Sequence, residues 1–224
     1  VDFPVMVSGK FRGTVSELKG RDMDLRFCDR SRFVGNVEFT GLPDVPNTFM
    51  VIDVAHFNTD PLDLAQLPVP PFIQRGRMQL PAEVERLGAV SFAGNFTGFV
   101  NSFTAYGQSS TEAGALKTDI TYARDTITDI FQLRGSLVTG GFALGRVVGD
   151  PTVGNIACDV KVKASGRDFA HMTAELEGAV PDLNVDKLNI TGITVKGRLE
   201  KNLFNGRRWT SQRISSTSIR GRSA

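Results

Sequence analysis

The sequence has few of the residues from which catalytic and metal sites are most often built. Only two of its 224 residues are histidine and only two are cysteine. His56 and His171 lie far apart, as do Cys28 and Cys158, so neither pair forms a metal-ligand motif or a disulfide framework. The H-E-x-x-H, calcium-loop and G-x-S-x-G patterns are also missing. We therefore predict separate thiols, no catalytic residue, no metal site, no cofactor and no enzymatic activity.

Long apolar runs and an excess of one charge are missing as well. No run approaches the roughly 18 apolar residues that a transmembrane helix needs. The 26 lysines and arginines nearly balance 24 acids, so we predict no nucleic-acid partner. The chain has 16 phenylalanines but two tyrosines and one tryptophan. Because phenylalanine carries no polar group, this bias suits a core or a wall that faces lipid.

The chain lacks an initiating methionine and a signal peptide, and it begins within an alternating pattern at Val1. We expect it to be an internal segment of a longer protein. The missing signal peptide then carries no information about the cellular compartment.

Alternation of apolar and polar residues is the main pattern that is present. In residues 88–107, Val90, Phe92 and Phe96 share one parity, and polar residues occupy the other. Such alternation predicts a strand with one apolar face. Gly94 and Gly98 interrupt it, which indicates a bulge, a kink or a close approach of two backbones. The pattern then resumes as a second strand.

The same pattern recurs along the chain and predicts roughly a dozen strands in an all-β fold. Residues 49–57 are apolar on both parities, which predicts a strand that is covered on both faces. Asn58, Thr59 or Asp60 could cap a helical turn. Residues 81–87 predict one short helix, with Pro81 in its first turn and Gly88 as its C-terminal cap. Residues 142–145 are read as a strand.

An alternating sheet must place its apolar face against something. If the sheet closes on itself or packs as two layers, that face is an ordinary core. If it curls without closing, it leaves an apolar groove, and such a surface demands an apolar ligand. Acyl chains suit it because each buried methylene contributes about 0.8 kcal/mol.

Several motifs resemble those of a known family. Residues 92–107, FAGNFTGFVNSFTAYG, are similar to the F-x-G-x-F-T-G-F-x-N-D-F-x-A-Y-G signature of TamB-like translocation and assembly module proteins. Ser102 stands where that signature has an acid. The order of the other motifs is also similar, and it covers nearly all of residues 1–206: GLPDVPNTF at 41–49, LPAEVERLG at 80–88, LKTDI at 116–120, GFALG at 141–145 and LFNG at 203–206.

The resemblance implies membership of the AsmA-like superfamily and a repeating β-groove. We expect a curved, mainly antiparallel sheet that forms an open groove. The family's proteins are anchored in the inner membrane of a Gram-negative envelope and cross the periplasm. Their implied partners are phospholipid acyl chains and an outer-membrane barrel insertase of the TamA type. The expected role is to conduct phospholipids between the membranes and to support outer-membrane biogenesis.

Nine apolar residues are predicted to line the groove. They are Val37, Phe39, Val90, Phe92, Phe96, Leu116, Ile120, Val160 and Val162. A second hypothesis is an envelope scaffold or chaperone that assists barrel-protein assembly by pairing strands at a sheet edge. A third is an adhesin or sugar-binding domain with a closed core, which would have no continuous groove.

The end of the chain departs from this pattern. We predict that residues 1–206 form the β-groove segment and that residues 207–224 form an atypical basic tail, either non-native or disordered. The tail holds no acid, shows no sustained alternation, and lacks the new strand expected after Gly206. A shift of reading frame would explain it, and a functional basic arm is the alternative. Its arginines are Arg207, Arg208, Arg213, Arg220 and Arg222.

Overall fold

The computed structural model describes residues 5–66, 80, 82–167, 172–186, 188–202, 206–215 and 218–221. Most of them belong to thirteen strands. The strands are β1 Val5–Gly13, β2 Glu17–Phe27, β3 Ser31–Thr40, β4 Phe49–Thr59, β5 Val90–Phe99, β6 Ser102–Thr111, β7 Gly114–Asp125, β8 Ile130–Ala143, β9 Val153–Gly166, β10 Met172–Val185, β11 Leu188–Asn202, β12 Gly206–Ser215 and β13 Ser218–Gly221.

The helices are short. A 3₁₀ turn spans Val45–Asn47, and the α-helices are α1 Pro61–Leu64, α2 Ala82–Glu85 and α3 Leu144–Val148. Helix α2 confirms the predicted short helix, and Gly88 has the left-handed φ of 69° that suits a C-terminal cap. Pro81 lies outside the described residues. Asp60 caps α1, since its side chain accepts a hydrogen bond from the backbone N–H of Asp63.

All thirteen strands form one antiparallel sheet, in which β1 to β12 lie side by side in chain order. Each strand from β1 to β12 pairs with its neighbours in sequence, and β13 pairs beside β12 along β11. Within the described residues β1 pairs only with β2, so the sheet is open at that edge and does not close into a barrel. The predicted all-β class with an open antiparallel sheet is confirmed.

The two faces of this sheet differ in exposure. Along β6 and β7, partly buried and exposed residues alternate without interruption. The described helices, none longer than five residues, do not form a second layer. Side chains on the concave side of a curved sheet crowd together and lose more accessible surface than those on the convex side, so we assign the less exposed side as the concave one. Most of its residues are apolar or glycine, as the alternation predicts.

The prediction that β4 is covered on both faces is wrong. Phe49 retains 38% of its accessible surface, and Ala55 and His56 are also exposed. An apolar residue on the convex side can be covered by a neighbour in the same layer instead. Phe49 packs edge-on against Phe99, with ring centroids 5.4 Å apart.

The best-buried part of the sheet lies in β8 to β11. Cys158, Val160, Val180 and Ile193 form a cluster there, against partly buried neighbours that include Leu137. All of them lie on the concave side, so the hydrophobic core and the concave face are continuous in this region.

Two local predictions are wrong. Residues 144–148 form helix α3 rather than the end of a strand, and Gly149 closes the helix with φ of 76°. Strand β12 follows Gly206 and pairs with β11, although its sequence does not alternate. Backbone hydrogen bonds alone can add an edge strand, so alternation is not required. Whether residues 207–224 are native to the fold stays a prediction.

Candidate functional site: an apolar concave face and a charged end cleft

The concave side of the sheet, called the inner face below, carries a continuous apolar row. The row is traced by stepping from a residue of β1 to its cross-strand partner on β2, and so on to β11, with one residue from each strand. Every member is apolar or glycine. This central row consists of Phe11, Gly20, Val37, Ile52, Phe96, Ala105, Ile120, Gly135, Val162, Leu176 and Gly197.

The nine residues predicted to line a groove all lie on the inner face. Four of them belong to the central row. Phe39 lies in one row next to the central row, opposite Met50. Val160 lies in the row that flanks the central row in the opposite direction, where it faces Leu137. Phe92 pairs with Phe57, and Leu116 with Ser109. Val90 is nearest the strand end, between Thr59 and Thr111. Their contact with lipid stays a prediction.

The nine residues come only from β3, β5, β7 and β9, so the sequence-based set was incomplete. The intervening strands contribute equally, through residues such as Ile52, Phe103, Leu137 and Leu176. The signal that could have found them is the hairpin register. Once the residues of a hairpin turn are known, the register of the pairing determines which residues of the second strand lie on the same face as the inward residues of the first.

Aromatic rings reinforce the inner face. The rings of Phe96 and Phe103 lie 4.8 Å apart, and Phe103 stacks on Tyr122 at 5.1 Å. Tyr122 stacks in turn with Phe131 at 6.1 Å. These centroid separations are typical of favourable aromatic pairs. The four rings cross β5 to β8 and give that part of the surface a fixed shape.

Gly94 and Gly107 permit a close approach at the centre of the inner face. A Cβ at Gly94 would lie 2.2 Å from the carbonyl oxygen of Tyr106. One at Gly107 would lie 2.7 Å from the ring of Phe92 and 2.4 Å from the carbonyl oxygen of Ala93. The register between β5 and β6 is unbroken. Close backbone approach is therefore observed at Gly94. A bulge lies beside it as well, because the pairing of β4 with β5 shifts register between Val54, opposite Gly94, and Phe57.

The opposite side of the sheet, the outer face, is polar and joined by ion pairs across strands. Arg32 donates two hydrogen bonds to Asp24, at 2.9 and 2.7 Å. Hydrogen bonds from Arg32 hold the pKa of Asp24 below its usual range. Lys196 pairs with Glu177 at 3.2 Å. The sheet is therefore amphipathic, with a hydrated outer face and an apolar inner face.

One end of the sheet is built from polar contacts. At this end, called the upper end, β4 and β8 finish and β5 and β9 begin. Asp63 of α1 accepts hydrogen bonds from the Ser31 hydroxyl at 2.7 Å and the Arg30 N–H at 2.8 Å. Burial alone would raise the pKa of Asp63, but these hydrogen bonds outweigh it and lower the pKa. Arg30 also pairs with Asp60 at 3.1 Å.

A second network joins α2 to α3 over the turn between β6 and β7. Glu112 in this turn forms an ion pair with Arg146 and accepts a hydrogen bond from the Ala89 N–H at 3.3 Å. The hydrogen bond from Arg146, followed by that from Ala89, lowers the pKa of Glu112. Arg86 donates to the carbonyl oxygen of Val147 at 3.1 Å. Helices α2 and α3 therefore cap the upper end together.

A cleft of about 970 Å³, the end cleft, lies between the two networks. It contains Arg30 and Asp60 on one side and Glu85, Glu112 and Arg146 on the other. Val90, Thr59 and Thr111 also line it. These three are cross-strand partners on the inner face, and their outer-face neighbours Asn58, Ser91 and Ser110 line the cleft as well. The cleft therefore lies across the ends of these strands and meets the inner face at Val90.

The cysteines and histidines do not form a reactive site in the described residues. Cys28 and Cys158 are both free thiols, as predicted. Burial raises the pKa of both thiols, and Cys158 is the one that lies inside the core cluster. His56 is exposed, and His171 lies outside the described residues. In the described part of the chain, no three His, Cys, Asp or Glu side chains gather as a metal site.

None of the described helices has the length and apolar character to cross a bilayer. Comparison of the chain with family models, curated proteins and solved structures gives no match. The resemblance to TamB-like proteins therefore rests on the sequence motifs alone.

Proposed function

We propose that this chain is a segment of a lipid conduit, in which phospholipid acyl chains lie on the inner face. The main support for this proposal is the central row, in which eleven apolar or glycine residues lie in line across β1 to β11. With ten interstrand steps of about 4.8 Å, the row is about 48 Å long. A surface of that length suits an elongated apolar ligand better than a compact one.

The energetics favour acyl chains as the occupants. Folded proteins rarely leave a contiguous apolar patch of more than a few hundred Å² in water. An acyl chain needs no polar partner on the surface that covers it, and each buried methylene contributes about 0.8 kcal/mol. The outer face supplies the hydrated side that such a conduit needs in an aqueous compartment.

The family resemblance supplies the cellular part of the proposal. Under it, the segment belongs to a periplasm-spanning protein that is anchored in the inner membrane and works with a TamA-type insertase. The role is then non-enzymatic, and phospholipids move between the inner and outer membranes.

Photocrosslinking tests the proposal with adjacent residues as controls. A photoreactive amino acid replaces Ile120 or Phe96 on the inner face, or Thr121 or Asn95 on the outer face. The protein is irradiated with vesicles of phosphatidylethanolamine and phosphatidylglycerol. We expect lipid adducts by mass spectrometry at the two inner positions only. Equal labelling of both faces, or none at either, would contradict the proposal.

A second candidate is the envelope scaffold or chaperone, favoured by the open edge at β1. All nine residues of β1 are exposed, and they include Val5, Val7 and Phe11. An unpaired edge strand can accept another strand through its backbone. Polypeptide adducts from a probe at Ser8, without lipid adducts at Ile120, would favour this candidate. The open sheet gives no support to the closed core that the third hypothesis requires.

A further inference from the structure

We infer that the end cleft binds the headgroup of a zwitterionic phospholipid with a primary amine, while the acyl chains lie on the inner face. The inference rests on the proposed function, because it places the same lipid. Its basis is that the inner-face row Thr59, Val90 and Thr111 lines the same cleft as the charged residues. A phospholipid has the matching division into an apolar part and a charged part.

The charges of the cleft favour a headgroup that carries an ammonium group. Two cations, Arg30 and Arg146, face three anions, Asp60, Glu85 and Glu112, so the net charge is −1. Asp60 and Glu112 are already paired with the two arginines. Glu85 is exposed at the end of α2 and makes no ion pair within the described part of the chain. It is therefore the carboxylate available to an ammonium group.

The two arginines supply donors for the phosphate. Each guanidinium has five N–H donors. Arg146 uses some of them on the carboxylate and the carbonyl oxygen of Glu112. Arg30 donates to Asp60, and its side chain remains 73% exposed. An anionic headgroup such as phosphoglycerol would match the arginines equally well, but it offers Glu85 no cation.

The test compares two lipids that differ only in headgroup. An uncharged alkylpyrene is bound to the whole protein, and its fluorescence reports displacement by dihexanoyl phosphatidylethanolamine or dihexanoyl phosphatidylglycerol. We expect the ethanolamine lipid to displace the probe at a concentration about two- to fivefold lower, the range of an exposed ion pair. Glu85→Gln should remove this preference, and Glu85→Lys should reverse it.

Glu83→Gln is the matched control, because Glu83 lies on the same helix but does not line the cleft. It should keep the preference of the unchanged protein. Equal displacement by both lipids would overturn the headgroup inference and leave the conduit standing. A preference that survives in Glu85→Gln would also overturn it. Failure of alkylpyrene to bind, or failure of both lipids to displace it, would overturn the conduit as well.

Discussion

Replacing Gly107 with alanine should destabilise the sheet at the centre of the inner face. The new Cβ would lie 2.4 Å from the carbonyl oxygen of Ala93 and 2.7 Å from two ring carbons of Phe92. Real Cβ atoms do not approach carbonyl oxygens so closely, so β5 and β6 must separate or the ring must leave its position. Overpacking of this kind costs about 1–3 kcal/mol.

Urea unfolding followed by far-ultraviolet circular dichroism measures this loss as a lower midpoint with an unchanged slope. Gly140→Ala is the control, since a Cβ there meets nothing within 4 Å. Its free energy of unfolding should stay within about 0.5 kcal/mol of the unchanged protein. The double variant Phe92→Leu, Gly107→Ala should recover only part of the loss, because the contact with the Ala93 carbonyl remains. If Gly107→Ala unfolds at the original midpoint, the proposed close approach is wrong.

Three further outcomes are expected. Phe96→Asp should abolish lipid crosslinking at Ile120, whereas Asn95→Asp on the outer face should leave it unchanged. Asp63→Asn should lower the free energy of unfolding at pH 7 by about 1–3 kcal/mol in urea titrations, because buried donors lose their carboxylate. A thiol reagent should modify Cys28 before Cys158, because Cys158 is buried in the core cluster; equal rates would contradict this burial.

The pH dependence of the Asp63 effect follows from the direction of its pKa shift. The folded-state pKa is lower than the unfolded value, which is about 3.9. The stabilisation is therefore complete above the unfolded pKa and is lost as the pH falls through the folded pKa. Unfolding midpoints of the unchanged protein and Asp63→Asn should converge below about pH 4. A constant difference down to pH 2 would show that the carboxylate charge is not responsible.

The alternation predicted the fold class and the inward residues well because the sheet is a single layer. In such a sheet, each strand residue lies on one of two faces, so the alternation by itself separates the two sets. Leu116 and Ile120 illustrate this, since both lie on the predicted side of β7. The prediction failed at Leu144, where a five-residue helix is too short to show a helical period. Gly149, followed by Asp150 and Pro151, was the available stop signal.

The end cleft could not be predicted from the sequence. Arg30, Glu85 and Arg146 are separated by more than fifty residues at each step, and no local pattern connects them. They meet because β4 and β8 end where β5 and β9 begin. Their proximity depends on the register of many hairpins, each of which must be placed correctly. Asp60 had a local signal as the cap of α1, and Glu85 lay in the predicted short helix, but neither signal connects the two residues.

The sequential order of the strands also bears on how this protein can change length. Each strand contacts mainly the strands next to it in the chain, so deleting two adjacent strands removes one unit and rejoins ends that already run in compatible directions. Each such hairpin adds or removes about 9.6 Å of surface. Deleting a single strand would instead reverse the chain direction of everything that follows. Gene duplication and loss can therefore set the span of the sheet in steps of one hairpin, as in other repeat architectures.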